Sequence, residues 1–291
     1  MVVFLINVIG VIQRGWLNMS WAQLMQGCLG AFLIVAACKG YIFQLVLSLD
    51  ARVSGRLWIF LFPLVVWPFF LVYRIQLTGD NYKSYLRRVA EGSLVEWLGF
   101  LLFLVSAFLL LKTATRVKGI PLTFLTRLGG VGLFVLAMEE MSWGQMIFNW
   151  NAPSLMDQHN IQSETNLHNL SFLHFHTWTI AACVFSILLI ASLCGFYARQ
   201  KQWLKLGSIA DILLPIGCTA SYFGIAAVMY WGVVLEKQGV DLLYLHTREQ
   251  EIAEFLFAVG VFVHSVYLYI DLPFTSISKQ GSAALHDLRP S

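Results

Sequence analysis

Apolar residues in this chain do not alternate with polar ones at the period of a strand or an amphipathic helix. They run in long stretches, at about 26–48, 57–77, 95–112, 122–148, 172–197, 208–235 and 250–271. A hydrocarbon layer offers the backbone no water to bond, so a run of about 20 apolar residues implies a helix that satisfies its own N–H and C=O groups while crossing. The pattern predicts an all-α, polytopic transmembrane helical bundle of about seven spans, forming one domain over residues 26–271. Met1 to Ile12 are apolar but too short to cross, and they lack the basic start of a secretion signal. Residues 1–25 are therefore expected to lie at the membrane interface or to run extended, and residues 272–291 to form a tail. The longest polar stretches are 78–93, 149–171 and 236–250.

Composition agrees. Hydrophobic residues make up 58% of the 291 and charged residues only 12%, against roughly 25% charged in a soluble domain. The net charge of +3 is small, and no basic patch interleaved with aromatics is present, which leaves no signature of a nucleic-acid partner. Cys28, Cys38, Cys183, Cys194 and Cys218 all fall in apolar runs without a CxxC pair, as small core residues do.

Charge does set an orientation. Arg52, Arg56, Lys112, Arg116, Lys118, Arg127, Arg199, Lys201, Lys205, Lys279 and Arg289 at one set of span ends outnumber Arg74, Lys83, Arg87, Arg88, Lys237 and Arg248 at the other. Lys and Arg in short loops favour the cytoplasmic side, so the first set and the C-terminus are expected inside. Most of the 16 acidic residues then gather outside. Acids contribute little to topology, so this skew points to an acidic site on the outer face.

The densest segment is Glu139-Glu140-Met141-Ser142-Trp143-Gly144-Gln145, at the outer end of the fourth span. Counting 1.5 Å per residue from Pro121, Glu139 lies roughly 27 Å along the helix, near the edge of the hydrocarbon layer. Carboxylates there cost about 2–3 kcal/mol or more unless they face a partner or water. They also sit at a helix C-terminus, where the dipole disfavours negative charge. A cation, a metal or a proton is needed to balance them, and a salt bridge to Arg74 or Arg248 is the structural alternative. Glu96, Glu251 and Glu254 begin spans entering from outside, where a carboxylate complements the helix dipole. They share a depth with Glu139 and Glu140, and Glu251 and Glu254, at i and i+3, share a face.

The outer loop supplies further ligands. Asp157 to Asn169 contains His159, His168, Glu164, Asn160, Asn166 and Asn169 and no Lys or Arg. Glu164 and His168 are i and i+4, on one face if the stretch is helical. Such a set suits a hard or borderline cation, or substrate hydroxyls, and a solvated polar loop is the plain alternative. His174, His176 and His246 read as interfacial histidines, and Asp211 and His264 as satisfied polar residues between helices. Walker, dinucleotide, GxSxG, HExxH and CxxCH patterns are missing. So are a lysine in the seventh span and an inverted repeat with paired broken helices.

Glu139–Phe148 (EEMSWGQMIF) and Gln162–Asn169 (QSETNLHN) together resemble an uncharacterised group of bacterial multi-spanning membrane proteins. These share EE(I/M)SWGQ and NxQxExNLHN segments, and Asn160, Gln162, Glu164, Asn166, Leu167, His168 and Asn169 match the second position by position. Glu96-Trp97 and Glu251/Glu254 are similar to that group's other acidic positions, whereas Asp80 to Ser93 departs from it. The likeness covers residues 78–270. It implies a shared architecture and a shared outer site in a bacterial cytoplasmic membrane, but supplies no activity. Glutamates at the start of spans also resemble the seven-helix alkaline ceramidases, although that group's histidine pair on the last helix is represented only by His264.

Three functions follow as expectations. The first is a membrane-embedded enzyme performing metal-assisted hydrolysis or transfer on a membrane lipid or lipid-linked substrate. Its catalytic set would be Glu139, Glu140, Glu164 and His168, and its divalent metal ligands Glu140, His168, Glu251 and Glu254. Trp143, Gln145, Asn166 and Asn169 would bind substrate, while metal-bound water supplies the nucleophile and a carboxylate the base. The second is a transporter of ions or small solutes, with Asp211 and His264 extending its path inward. The third is a non-catalytic subunit or assembly factor that docks a membrane-protein partner through loop 149–171.

Overall fold

The computed structural model describes residues 53–76, 79–89, 93–148, 150–160, 163–167, 169–205, 207–240 and 250–286. The first expected span, at 26–48, and the segment 1–25 lie outside them. The described residues form helices joined by turns and loops, their one strand-like contact being an isolated bridge between Asn160 and Leu170. Five helical segments are long and apolar enough to cross a membrane: Leu94–Ala114, Ile120–Glu140, His176–Gln200, Ile209–Lys237 and Gln250–Leu272. The protein is therefore a helical membrane protein. Of the seven stretches expected, 57–77 falls on helix α1 (Val53–Gln76), whose described apolar part is Arg56–Trp67.

A short helix α2 (Gly79–Val89) leads into α3 (Leu94–Ala114), capped by Ser93, whose Oγ accepts from Val95 N at 3.3 Å. Pro121 at the first turn starts α4 (Ile120–Glu140). At about 1.5 Å per residue, its 21 residues reach about 31 Å, the thickness of a hydrocarbon layer. The fourth stretch was expected to stay helical to 148, but α4 stops at Glu140. Ser142, Trp143 and Gly144 follow with φ of 45°, 55° and 93°, a left-handed run that a continuing right-handed helix excludes. Two short helices, α5 (Gln145–Phe148) and α6 (Ser154–His159), precede α7 (Ser171–Gln200).

The sixth stretch, expected to be one helix over 208–235, is broken. Helix α8 (Ile209–Leu213) ends before Pro215, a 3-10 turn spans Gly217–Thr219, and α9 (Ala220–Lys237) resumes. The last helix, α10 (Gln250–His286), continues beyond the expected end at 271. In packing order α4 lies against α3, α3 against α10, α10 against α9 and α9 against α7, while α1 also touches α9. Small residues let α3 and α4 approach closely: a Cβ on Gly130 would lie 2.8 Å from Leu111 Cγ and 3.1 Å from the Ala107 carbonyl oxygen. Outward faces are apolar, as on α4 with Phe124, Leu128, Val131 and Phe134, and on α7 with Ile180, Val184 and Ile187.

Breaking a helix at this depth frees carbonyls that lipid cannot bond. Arg199, near the end of α7, satisfies them. Its guanidinium donates to the carbonyl oxygens of Asp211, Leu214 and Pro215 at 3.2, 2.8 and 3.2 Å, and to Asp211 Oδ1 at 2.9 and 3.1 Å. Asp211, 1% exposed, also accepts from Gly207 N and Tyr267 Oη. His264 Nε2 lies 3.0 Å from the Ile212 carbonyl oxygen. Asp211 is thus a satisfied structural acid between helices, as the sequence suggested. Removing one member of a buried ion pair typically costs about 3–5 kcal/mol, and here carbonyls would be orphaned too. Arg199→Ala is expected to lower the thermal midpoint of detergent-solubilised protein sharply, read by size-exclusion after heating, with Arg199→Lys recovering only part of the loss. An alanine variant melting with the wild type would contradict this account of the break.

Candidate functional site

The sequence placed one cluster at the end of α4; the structure builds two arrangements there, back to back. The helix end turns Glu139 and Glu140 in different directions, and their partners differ accordingly.

Glu139 joins a lock between the turn after α4 and the loop before α7. Its Oε1 accepts from Trp143 Nε1 at 2.6 Å and its Oε2 from the backbone N–H of Leu167 at 2.7 Å. Glu164 is the second hub. Its Oε2 accepts from Ser142 Oγ at 3.0 Å, Asn166 Nδ2 at 2.5 Å and Asn169 Nδ2 at 3.4 Å. Asn160 Nδ2 donates to the Asn166 carbonyl oxygen and Oδ1 at 2.9 and 3.0 Å, while its Oδ1 accepts from Glu164 N. Gln145 Oε1 accepts from Thr165 N and Oγ1 at 2.9 and 2.7 Å, and its Nε2 donates to the Ser163 carbonyl oxygen. Asn160, Asn166 and Asn169 are buried. The stretch Ser163–Leu167 is not helical, so the i, i+4 pairing of Glu164 with His168 has no helix to rest on. His168 itself, with Gln162, lies outside the described residues.

Glu140 faces the other way, into the bundle. One oxygen each of Glu140, Glu251 and Glu254 lie within 4.8 Å of one another. Glu251, in the first turn of α10, is buried, and the other two are half-buried. Glu254, Glu96 and Glu139 all act on Glu140 electrostatically, each with the same sign. Of the three helix ends expected to aim carboxylates at one place, α4 and α10 bring theirs within 4.8 Å of one another, while Glu96 of α3 acts on Glu140 electrostatically. Tyr230 Oη, from α9, donates to Glu254 Oε1. Trp178 Nε1 donates to Gln250 Oε1 at 2.9 Å, and Gln250 Nε2 to Glu251 Oε1 at 3.5 Å. Tyr230, Trp178 and Gln250 escaped the sequence reading, since a tyrosine in an apolar run and a tryptophan near a helix start carry no chemical signature.

Below the glutamates the bundle is closed by aromatic rings. Phe257, one turn beyond Glu254, meets Phe103 of α3, Phe185 of α7 and Phe223 of α9 at centroid separations of 5.5, 4.9 and 6.2 Å. Residues 255–263 between Glu254 and His264 contain no polar side chain. The glutamates and the Arg199–Asp211 group therefore stand at opposite ends of an apolar middle.

Of the remaining candidates, His159 and His176 are exposed, and the side chains of Arg74, Asp157 and His174, with His246 and Arg248, lie outside the described residues. Compared with protein families, with curated proteins and with solved structures, the chain matches none.

The lock makes a direct prediction. Asn166→Ala deletes donors to Ser142 and Glu164 and an acceptor of Asn160, leaving buried polar groups unpaired at about 1–3 kcal/mol. Limited proteolysis is expected to cut within 149–171 faster in this variant while the helical circular dichroism stays unchanged. Equal cleavage rates would show that the lock does not hold the loop.

Proposed function

We propose that the protein is a membrane-embedded, metal-assisted enzyme, acting by hydrolysis or group transfer on a lipid or lipid-linked substrate at the outer leaflet. The observation that carries this reading is the convergence of Glu140, Glu251 and Glu254. Two oxygens held by one hard cation, each about 2.3–2.6 Å from it, can be at most about 4.6–5.2 Å apart, and the oxygens of this set all lie within 4.8 Å of one another. Like charges at about 4 Å repel by about 4 kcal/mol even with partial screening, so such a cluster calls for a cation or shared protons. Carboxylate oxygens select hard divalent ions. Tyr230 and Gln250 orient two of the glutamates, as outer partners do around metal ligands.

In this reading Glu140, Glu251 and Glu254 would hold the cation, and the chemistry it would supply when bound is a lowered pKa of water for attack on the substrate. Glu96, which acts on Glu140 electrostatically, is a further carboxylate that would serve as base. His168 keeps its sequence-based candidacy as a nitrogen ligand. Glu139 and Glu164 serve the lock, and Trp143, Gln145, Asn166 and Asn169 shape it in place of binding substrate. The aromatic layer under the glutamates favours a reaction confined to one end of the bundle over a path through it. The excess of Lys and Arg at the Arg199 end supports reading that end as cytoplasmic and the glutamates as outward-facing.

Elemental analysis of the purified protein is the test. A stoichiometric divalent metal is expected in the wild type and in Glu164→Gln, and its loss is expected in Glu251→Gln and Glu254→Gln. Metal-free wild-type protein that also fails to take up Mn²⁺, Mg²⁺, Ca²⁺ or Zn²⁺ on titration would overturn the proposal.

A further inference from the structure

Immediately past the lock stands a group of apolar side chains that the glutamate site does not use. Ile147, Phe148 and Trp150 are 53%, 69% and 44% exposed, although they lie in and just after the short helix α5, in the connection between two spanning helices and not on a spanning face. They are not loosely held. The Phe148 and Trp150 rings stack with centroids 5.5 Å apart and planes at 17°. Both rest on the backbone of Gly144, where a Cβ would lie 3.3 Å from each ring and where φ is +93°. Trp150 Nε1 reaches Thr165 Oγ1 at 3.4 Å, and Thr165 is in turn bonded to Gln145. The left-handed turn and the lock thus fix a flat apolar surface pointing away from the protein, an arrangement water disfavours.

Its depth says what covers it. Helix α4 has the length of a hydrocarbon layer, with Phe124, Leu128, Val131 and Phe134 exposed along it. The chain leaves α4 at Glu140, so residues 147–150 emerge where that lipid-facing surface ends. This is the headgroup level, where aromatic side chains with one apolar body and one polar edge collect. Trp150 has such an edge, turned to Thr165.

We infer that Ile147, Phe148 and Trp150 form a membrane-contacting tip that seats the lock in the lipid headgroup region, at the same end of the bundle as the glutamate cluster, with phospholipid as its partner. The inference deepens the proposed function, because it sets the end of the bundle that carries the carboxylates against a leaflet, yet it does not depend on their holding a cation. A metal-free protein would leave it standing.

The test is photocrosslinking of the full chain in nanodiscs of phosphatidylethanolamine and phosphatidylglycerol. A benzophenone-bearing phenylalanine analogue is placed at Phe148, at Ile187 on the exposed face of α7, or at Gln158, exposed in the loop. Lipid adducts at Phe148 are expected to reach the level at Ile187 and to be lost at Gln158. If the Phe148 variant does not elute as a single species, Ile147 takes its place. Adducts at the tip as sparse as at Gln158, or a protein adduct replacing lipid, would overturn the inference.

Discussion

Two neighbouring carboxylates at the C-terminal end of a spanning helix pose an electrostatic problem, and much of this end of the molecule follows from how it is solved. The helix dipole opposes them, the hydrocarbon edge raises the cost of their charge, and adjacency adds mutual repulsion. Glu139 is relieved by two short hydrogen bonds, one from the Trp143 indole and one from the Leu167 backbone. Those bonds require the chain to double back after Met141, which the left-handed Ser142, Trp143 and Gly144 accomplish. Glu140 receives no such relief from the turn and enters a group of like-charged residues instead.

One helix end therefore carries two different duties. The lock uses its acids as acceptors, surrounding Glu164 with Ser142, Asn166 and Asn169 and closing with the Asn160–Leu170 bridge. The cluster keeps its acids together at the edge of the core, above the Phe257 rings. At the far end the same economy of charge appears in another form: Arg199 and Asp211 neutralise each other while the guanidinium ties off the broken helix. Buried charge is spent on structure at one end, and at the other a part of it is left converging.

The helical membrane fold was legible because long apolar runs admit few alternatives in lipid, and the carboxylates at three helix ends were legible because charge at that depth is conspicuous. The turn at 142–144 was not. Trp143 in a left-handed conformation goes with the bond from its indole to Glu139, four residues back, and nothing in SWG alone demands it. The break at 214–219 was announced only by Pro215 and Gly217, both common within membrane helices. The division of the acids was hidden for a simpler reason. Glu139, Glu140 and Glu164 are chemically alike, and only the partners that fold against them separate lock from cluster. Asn166 and Asn169 accordingly belong to the lock's interior, where the sequence suggested a substrate surface.

The central claim is that Glu140, Glu251 and Glu254 form a single cation site while Glu139 and Glu164 do not. Anomalous diffraction from crystals soaked in Mn²⁺ addresses it most directly, because it locates the ion without reference to activity. The account predicts one strong peak where Glu140 of α4 meets Glu251 and Glu254 of α10, bonded to those three carboxylates. A peak at Glu139 or Glu164, or none at the cluster, would contradict it.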